Sequence, residues 1–399
     1  MKGLKLFCFL LVLLFLKGCG RCIMPEDGYV HNLLIYMAAD NSLSDLALEN
    51  MNEIIAHADV PEDHALLVFI DRRNTGAFLI HPRKVNSQVI LDTIQRYGTV
   101  NSGEVSMLTS VITTARQECP AQSYGLILWS HGTGWLPKGL YGESATPAIA
   151  LQSFSPSGAF RYNIHDSAYP GVKTFGQDGE SQMEIADLSY ALKAYHHDYI
   201  CFDACLMADV QTYYELKDAC DYFVGSPAEI IDTGFPYDKL LSVMMPYKGR
   251  ENLIALCDAY YNKYNAMAGY NKSATISLVS TQFLTPLAMA FGELVAHTSA
   301  DPETVDRESL QTYDRLREHV FFDIERMARV LGNDTRYNAF CEVLNNVVVY
   351  KKSTEYFITI PINHFSGLAA YLPTERLPRI QSGFRNTSWN MTIGEWVSE

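Results

Sequence analysis

Short runs of apolar, β-branched or aromatic residues recur along the chain, at 32–39, 66–71, 124–130, 199–204, 222–226 and 274–280. Runs this short and continuously apolar read as strands buried on both faces. Between them, segments 42–57, 106–118, 184–194, 206–219 and 251–267 carry apolar residues at helical spacing. Alternation of this kind predicts an α/β fold, a mostly parallel central sheet with helices on both faces. Residues 137–181 are rich in Gly, Pro, Ser and Tyr with little periodicity, and read as a long surface excursion between two core strands. A loop that long inside a domain is usually functional. From about residue 286 the pattern is mainly helical, with strands expected to return at 356–360 and 367–372.

Composition narrows the class. Of 399 residues, 48% are apolar and 19% charged, which excludes a disordered or collagen-like chain. The net charge is −14, and loss of a leader holding Lys2, Lys5 and Lys17 would make it more negative, so nucleic acid is excluded as a partner class. Nine Cys are too few for a disulfide scaffold and odd in number, so at least one thiol is free or otherwise used.

Residues 1–19 read as a leader. The apolar run 6–16 is eleven residues long, preceded by Lys2 and Lys5; a membrane-spanning helix needs about 20. A short apolar run behind basic residues is a secretory pattern. Its ending, Leu16-Lys17-Gly18-Cys19, resembles the bacterial lipobox, with Lys17 in place of the usual small or apolar residue. The expectation is an exported protein anchored to a bacterial membrane by a lipid on Cys19, with simple secretion as the alternative.

Ligand sites of parallel sheets lie at the C-terminal strand ends. Ser130-His131-Gly132-Thr133-Gly134 follows one expected strand, and Asp203-Ala204-Cys205-Leu206 follows another. The two glycines are expected to leave room for a ligand backbone beside His131. A helix beginning near Leu206 would aim its amides at the Cys205 thiol and lower its pKa. A thiol and an imidazole suffice for nucleophilic acyl transfer, although each residue taken alone is as readily a buried hydrophobe or a turn residue. Asp40 and Asp71 end other strands and read first as turn or capping residues, and only second as orienters of His131. His196-His197-Asp198 lacks a metal-binding spacing. Asp178-Gly179-Glu180 offers oxygen ligands for calcium without the full EF-hand pattern, so no cofactor is required by the sequence.

At His131 and Cys205 the sequence resembles the clostripain family of cysteine peptidases, which shares its fold with caspases, legumain and gingipains. The Ser-His-Gly and Asp-Ala-Cys segments match the family pattern, as do Tyr214-Glu215-Leu216-Lys217, Gly225-Ser226-Pro227 and the opening Tyr36-Met37-Ala38-Ala39-Asp40-Asn41. The resemblance implies a caspase-like peptidase core over 28–285 and a mainly helical extension over 286–399. It implies Cys205 as nucleophile, His131 as general acid/base, and the N–H groups of Gly132 and Cys205 as an oxyanion hole. His131 and Cys205 lie 74 residues apart, longer than in compact members, which points to an insertion between them. Relatives of this kind prefer Arg or Lys before the cut. Asp203, two residues from Cys205 on the same strand face, is then the expected substrate-binding carboxylate; its other reading is a cap or loop brace. Self-cleavage between the catalytic segments is expected after Lys138, Arg161 or Lys173. The expected partners are protein or peptide substrates with basic residues. The competing class is a catalytically silent surface lipoprotein that binds peptide with the same fold.

Overall fold

Continuous apolar runs form the centre of a nine-stranded sheet in the computed structural model, which describes residues 25, 28–86, 88–137, 178 and 181–397. Strands β1 (Tyr29–Ala39), β2 (His64–Arg72), β3 (Gly76–Val85), β4 (Gln88–Gly98), β5 (Ala121–Trp129), β6 (His197–Asp203), β7 (Cys220–Gly225) and β8 (Thr275–Ser280) belong to it. The remaining member is β10 (Val348–Ser353), which follows β9 (Phe322–Asp323) in the chain. The order across the sheet is β10-β8-β7-β6-β5-β1-β2-β3-β4. The five inner strands β2, β1, β5, β6 and β7 are parallel. Antiparallel β3 and β4 widen one edge, and antiparallel β8 and β10 widen the other.

Helices α1 (Ser44–Ala56), α5 (Tyr237–Met244) and α6 (Arg250–Asn265) pack in succession on the sheet. A second set, α2 (Val105–Glu118), α3 (Ile185–Leu192) and α4 (Val210–Leu216), packs separately from the first, with α2 against β1. The result is the caspase-like α/β arrangement. One hydrophobic core runs from Tyr29 to Val397, so the residues beyond 286, including α7 (Leu284–His297), α8 (Ile324–Leu331) and α9 (Asp334–Val347), pack onto the same core as the inner strands. Among the described residues no helix is long and apolar enough to cross a membrane.

Three local expectations are corrected. The chain re-enters the main sheet at β10, within the region read as helical, because Val348–Ser353 directly follows α9 and pairs with β8. The strands expected at 356–360 and 367–372 are two-residue ladders, Tyr356–Phe357 with Ile360–Pro361 and Ala369–Ala370 with β9. Helix α4 begins at Val210 rather than near Leu206. Leu206 has a φ of 60°, a left-handed conformation that interrupts a helix. Asp209 caps α4 instead, accepting from the Thr212 N–H at 2.8 Å.

Candidate active site

Register brings His131 and Cys205 together. Trp129 of β5 pairs with Asp203 of the parallel strand β6, and each candidate lies two residues further along its own chain. Both therefore leave the C-terminal edge of the sheet at one level, on neighbouring strands about 4.8 Å apart. Both are nearly buried, His131 7% and Cys205 1% exposed.

Gly132 brings the two segments into contact. A Cβ placed there would stand 2.4 Å from the Cys205 carbonyl oxygen and 2.9 Å from its nitrogen. Gly134, with a φ of +58°, is packed as tightly: a Cβ would meet the Leu206 oxygen at 2.6 Å and the Asp209 carboxylate at 2.7 Å. The glycines thus admit the backbone and side chains of the Cys205–Asp209 segment, and the expected space for a ligand backbone is taken by the protein itself.

The Cys205 thiol has no helix N-terminus behind it, since α4 starts five residues later. Its partner is the loop after β7. Ile230 donates its N–H to Sγ at 3.1 Å, and the thiol lies 3.6 Å from the Ile230 carbonyl oxygen. The same loop accepts the Leu206 N–H at Ala228 (2.9 Å) and the Ala208 N–H at Ser226 (3.1 Å). Ile230 thus offers the sulfur both an amide donor and a carbonyl acceptor.

The His131 ring is held by Ser42, whose hydroxyl lies 2.8 Å from Nε2. Asp71 is a buried carboxyl raised to about 7, chiefly by desolvation and then by the Asp178 carboxylate. Asp178 in turn accepts from the Ser102 N–H and hydroxyl at 2.5 and 3.1 Å. That cluster ties the turn after β4 to the return of the excursion. Residues 179 and 180 lie outside the described residues, among which no group of three or more His, Cys, Asp or Glu could hold a metal.

Asp203 is fully buried beside the nucleophile and accepts from the Phe235 N–H at 3.1 Å and the Tyr237 hydroxyl at 3.0 Å. It therefore braces the 232–237 loop. Lys263 fixes that loop from its other side, its ammonium donating to the carbonyls of Thr233, Gly234 and Phe235 at 3.1, 3.1 and 3.2 Å. The Tyr264 hydroxyl, pushed up by burial, donates to the Gly234 carbonyl at 2.7 Å and so holds the same loop. Asp232 is half-buried and lies two residues beyond Ile230. Lys138, Arg161, Lys173 and Cys19 lie outside the described residues.

The structure places His131, Gly132, Asp203 and Cys205 at the ends of neighbouring strands, and around them Ser42, Ile230, Asp232 and Lys263, which the sequence did not point to. Ile230 acts through its backbone, which leaves no side-chain signature. Asp232 beside Gly234, after a strand end, was the available signal for a site loop.

A cysteine and a histidine at neighbouring strand ends of a caspase-like sheet are the parts of a cysteine peptidase, and comparison with known proteins shows that this is what the protein is. The family model of the clostripain family, peptidase C11, matches residues 35–151 and 160–376, and the chain belongs to that family. Among solved structures, an inactive zymogen C11 protease from Parabacteroides distasonis is 28% identical. The match covers 93% of this chain and 99% of that one, with a TM-score of 0.77. A secreted C11 cysteine protease from Bacteroides thetaiotaomicron, in complex with an irreversible peptide inhibitor, is also 28% identical. There the match covers 92% and 99%, with a TM-score of 0.74. No curated protein matches the chain.

Proposed function

We propose that this peptidase cleaves peptide bonds after Arg or Lys through a Cys205–His131 dyad, and that it does so outside the cytoplasm. The observation that carries the dyad is the β5–β6 register, with the Gly132 backbone seated against Cys205. With Nε2 engaged by Ser42, Nδ1 takes the thiol proton. The thiolate adds to the scissile carbonyl, and His131 returns the proton to the leaving amine. The N–H groups of Gly132 and Cys205 receive the oxyanion, each donor worth about 3 kcal/mol by precedent. Water activated by His131 then releases the acyl group. Peptide substrates are supported by the inhibitor complex of the Bacteroides thetaiotaomicron relative.

The basic preference rests on carboxylates. Two carboxylates near the nucleophile are the candidates to meet a substrate cation, Asp203 two residues before Cys205 and the half-buried Asp232 two residues after Ile230. The experiment is a peptide panel varied at the residue before the cut, with Cys205→Ala as control. Asp203→Asn keeps an acceptor for Phe235 and Tyr237, so the fold should persist. Its kcat/KM for Arg and Lys substrates should fall about 30-fold or more, the effect of truncating one partner of a desolvated charge pair. Substrates with apolar residues at that position should change less than about threefold. A wild-type preference for acidic or apolar residues would refute the basic pocket and leave the dyad standing.

Export is supported by the basic-apolar leader and by the Bacteroides thetaiotaomicron relative, which is a secreted protease. Cys119 is disulfide-bonded, as an oxidising compartment allows. Lipid attachment at Cys19 and self-cleavage after Lys138, Arg161 or Lys173 complete the proposal. Intact mass of the active protein, produced from the full chain in an exporting bacterial host, reads both at once. The expected species starts at an acylated Cys19 and is cut once between the two catalytic segments. A fully active, uncut and unacylated chain would refute both.

A further inference from the structure

The loop that clasps Cys205 carries a buried ion pair to which the steps described above assign no part. Ala228 and Ile230 face the nucleophile segment, the first accepting the Leu206 N–H and the second gripping Sγ. Glu229 lies between them in the chain. Its carboxylate meets Arg315 in a two-point contact, Nε to Oε2 at 2.6 Å and Nη2 to Oε1 at 3.1 Å. Both residues are buried, Glu229 2% and Arg315 7% exposed.

Such a pair is a poor device for stability, because desolvating two charges offsets their attraction, and apolar residues of similar volume often do as well. Its distinguishing property is geometric. A planar guanidinium bound at two points fixes the position and the rotation of a carboxylate, which a single-point contact cannot. Arg315 belongs to the region beyond residue 286, in the segment before β9, whereas Glu229 follows β7. Phe321 of the same segment lies 2.9 Å from where a Cβ on Gly134 would stand. The C-terminal region therefore touches the loop that carries His131 and the loop that clasps Cys205.

We propose that Arg315 is a positioning residue for the peptidase reaction: through Glu229 it sets the Ile230 backbone against the Cys205 thiol, so that the C-terminal region completes the reactive centre. Removal of the guanidinium leaves Glu229 charged and buried without its partner. The loop then shifts to hydrate it and draws Ala228 and Ile230 off the nucleophile segment. This inference rests on Cys205 being the nucleophile.

The test compares the full-length wild type, Arg315→Gln, Arg315→Lys and the double variant Glu229→Gln/Arg315→Gln. Turnover of one peptide substrate is read at a temperature at least ten degrees or so below each melting point. Arg315→Gln should lower kcat tenfold or more while KM moves less than threefold. Arg315→Lys keeps the charge but loses the two-point fork, and should fall between Gln and wild type. The double variant leaves no unpaired buried charge and should recover at least threefold of the lost kcat, the non-additivity expected of a coupled pair. Where Arg315→Gln does not fold, the Lys and double variants carry the same comparison. Wild-type or raised kcat in Arg315→Gln, or in Arg315→Lys where the former is unfolded, would overturn the proposal. So would a kcat in the double variant no better than in Arg315→Gln. Cys205→Ala, run alongside, separates the two levels: turnover retained there refutes the nucleophile itself, whatever Arg315 does.

Discussion

Cys205→Ala and His131→Ala should each lower peptidase turnover by at least ~1,000-fold while leaving the fold and its melting temperature nearly unchanged. Thiol and imidazole act as one unit, since the proton leaving sulfur is the proton delivered to the amine. The double variant should therefore be little worse than either single one, whereas independent roles would multiply. Ser42→Ala supplies a graded control. It removes the hydroxyl 2.8 Å from His131 Nε2, and Ser42 is exposed, so water replaces it readily. A net hydrogen bond is worth about 0.5–1.5 kcal/mol, a loss of roughly tenfold or less. Near wild-type turnover in His131→Ala would remove the imidazole from the mechanism. A site-resolved alkylation experiment gives a second check. Cys201, Cys220 and Cys257 are buried with thiols pushed up by desolvation, so Cys205 should be the fastest of the buried group to react.

The inner strands were legible because burial on both faces leaves an unbroken apolar run, as in the Leu33–Ala39 stretch of β1, where every residue is buried. The antiparallel edges were not. Strand β4 exposes much of its length, and β3 contains Pro82, which argues against a strand when only the sequence is read. Strand β10 follows α9 without a break and is half-exposed, so its signal merges with the helix before it. The premature helix at Leu206 has a specific cause. Leu206, Met207 and Ala208 are apolar and buried, which mimics a helical face, yet their burial comes from packing under the 226–230 loop. His131 and Cys205 could be picked out because each sits just past a strand end. Their supports could not, because Ile230 contributes backbone and Arg315 meets Glu229 across 86 residues of sequence.

Gly132→Ala should cost as much activity as the loss of a reactive group, without removing any functional atom. The added methyl would stand 2.4 Å from the Cys205 oxygen, 2.9 Å from its nitrogen and 3.0 Å from the Ala204 Cβ. Two of these are backbone atoms, and no side-chain rotamer can relieve the clash, so one of the two catalytic segments must move by the better part of an ångström. A displacement of about 1 Å at the reacting atoms costs on the order of 100-fold in rate. Here the displaced residue is the nucleophile and the Gly132 N–H is itself the proposed oxyanion donor, so the loss in kcat should reach at least ~100-fold. The stability cost should be smaller, about 1–3 kcal/mol, as for overpacking elsewhere. Gly98→Ala is the matched control. Gly98 has a φ of +71° with open space around its Cβ position, so alanine there carries only the left-handed strain of about 1–2 kcal/mol. The two variants should thus lose similar stability, while only Gly132→Ala loses turnover. Turnover in Gly132→Ala within threefold of wild type would mean that the close approach of the two strand-end loops is not what aligns Cys205 with His131.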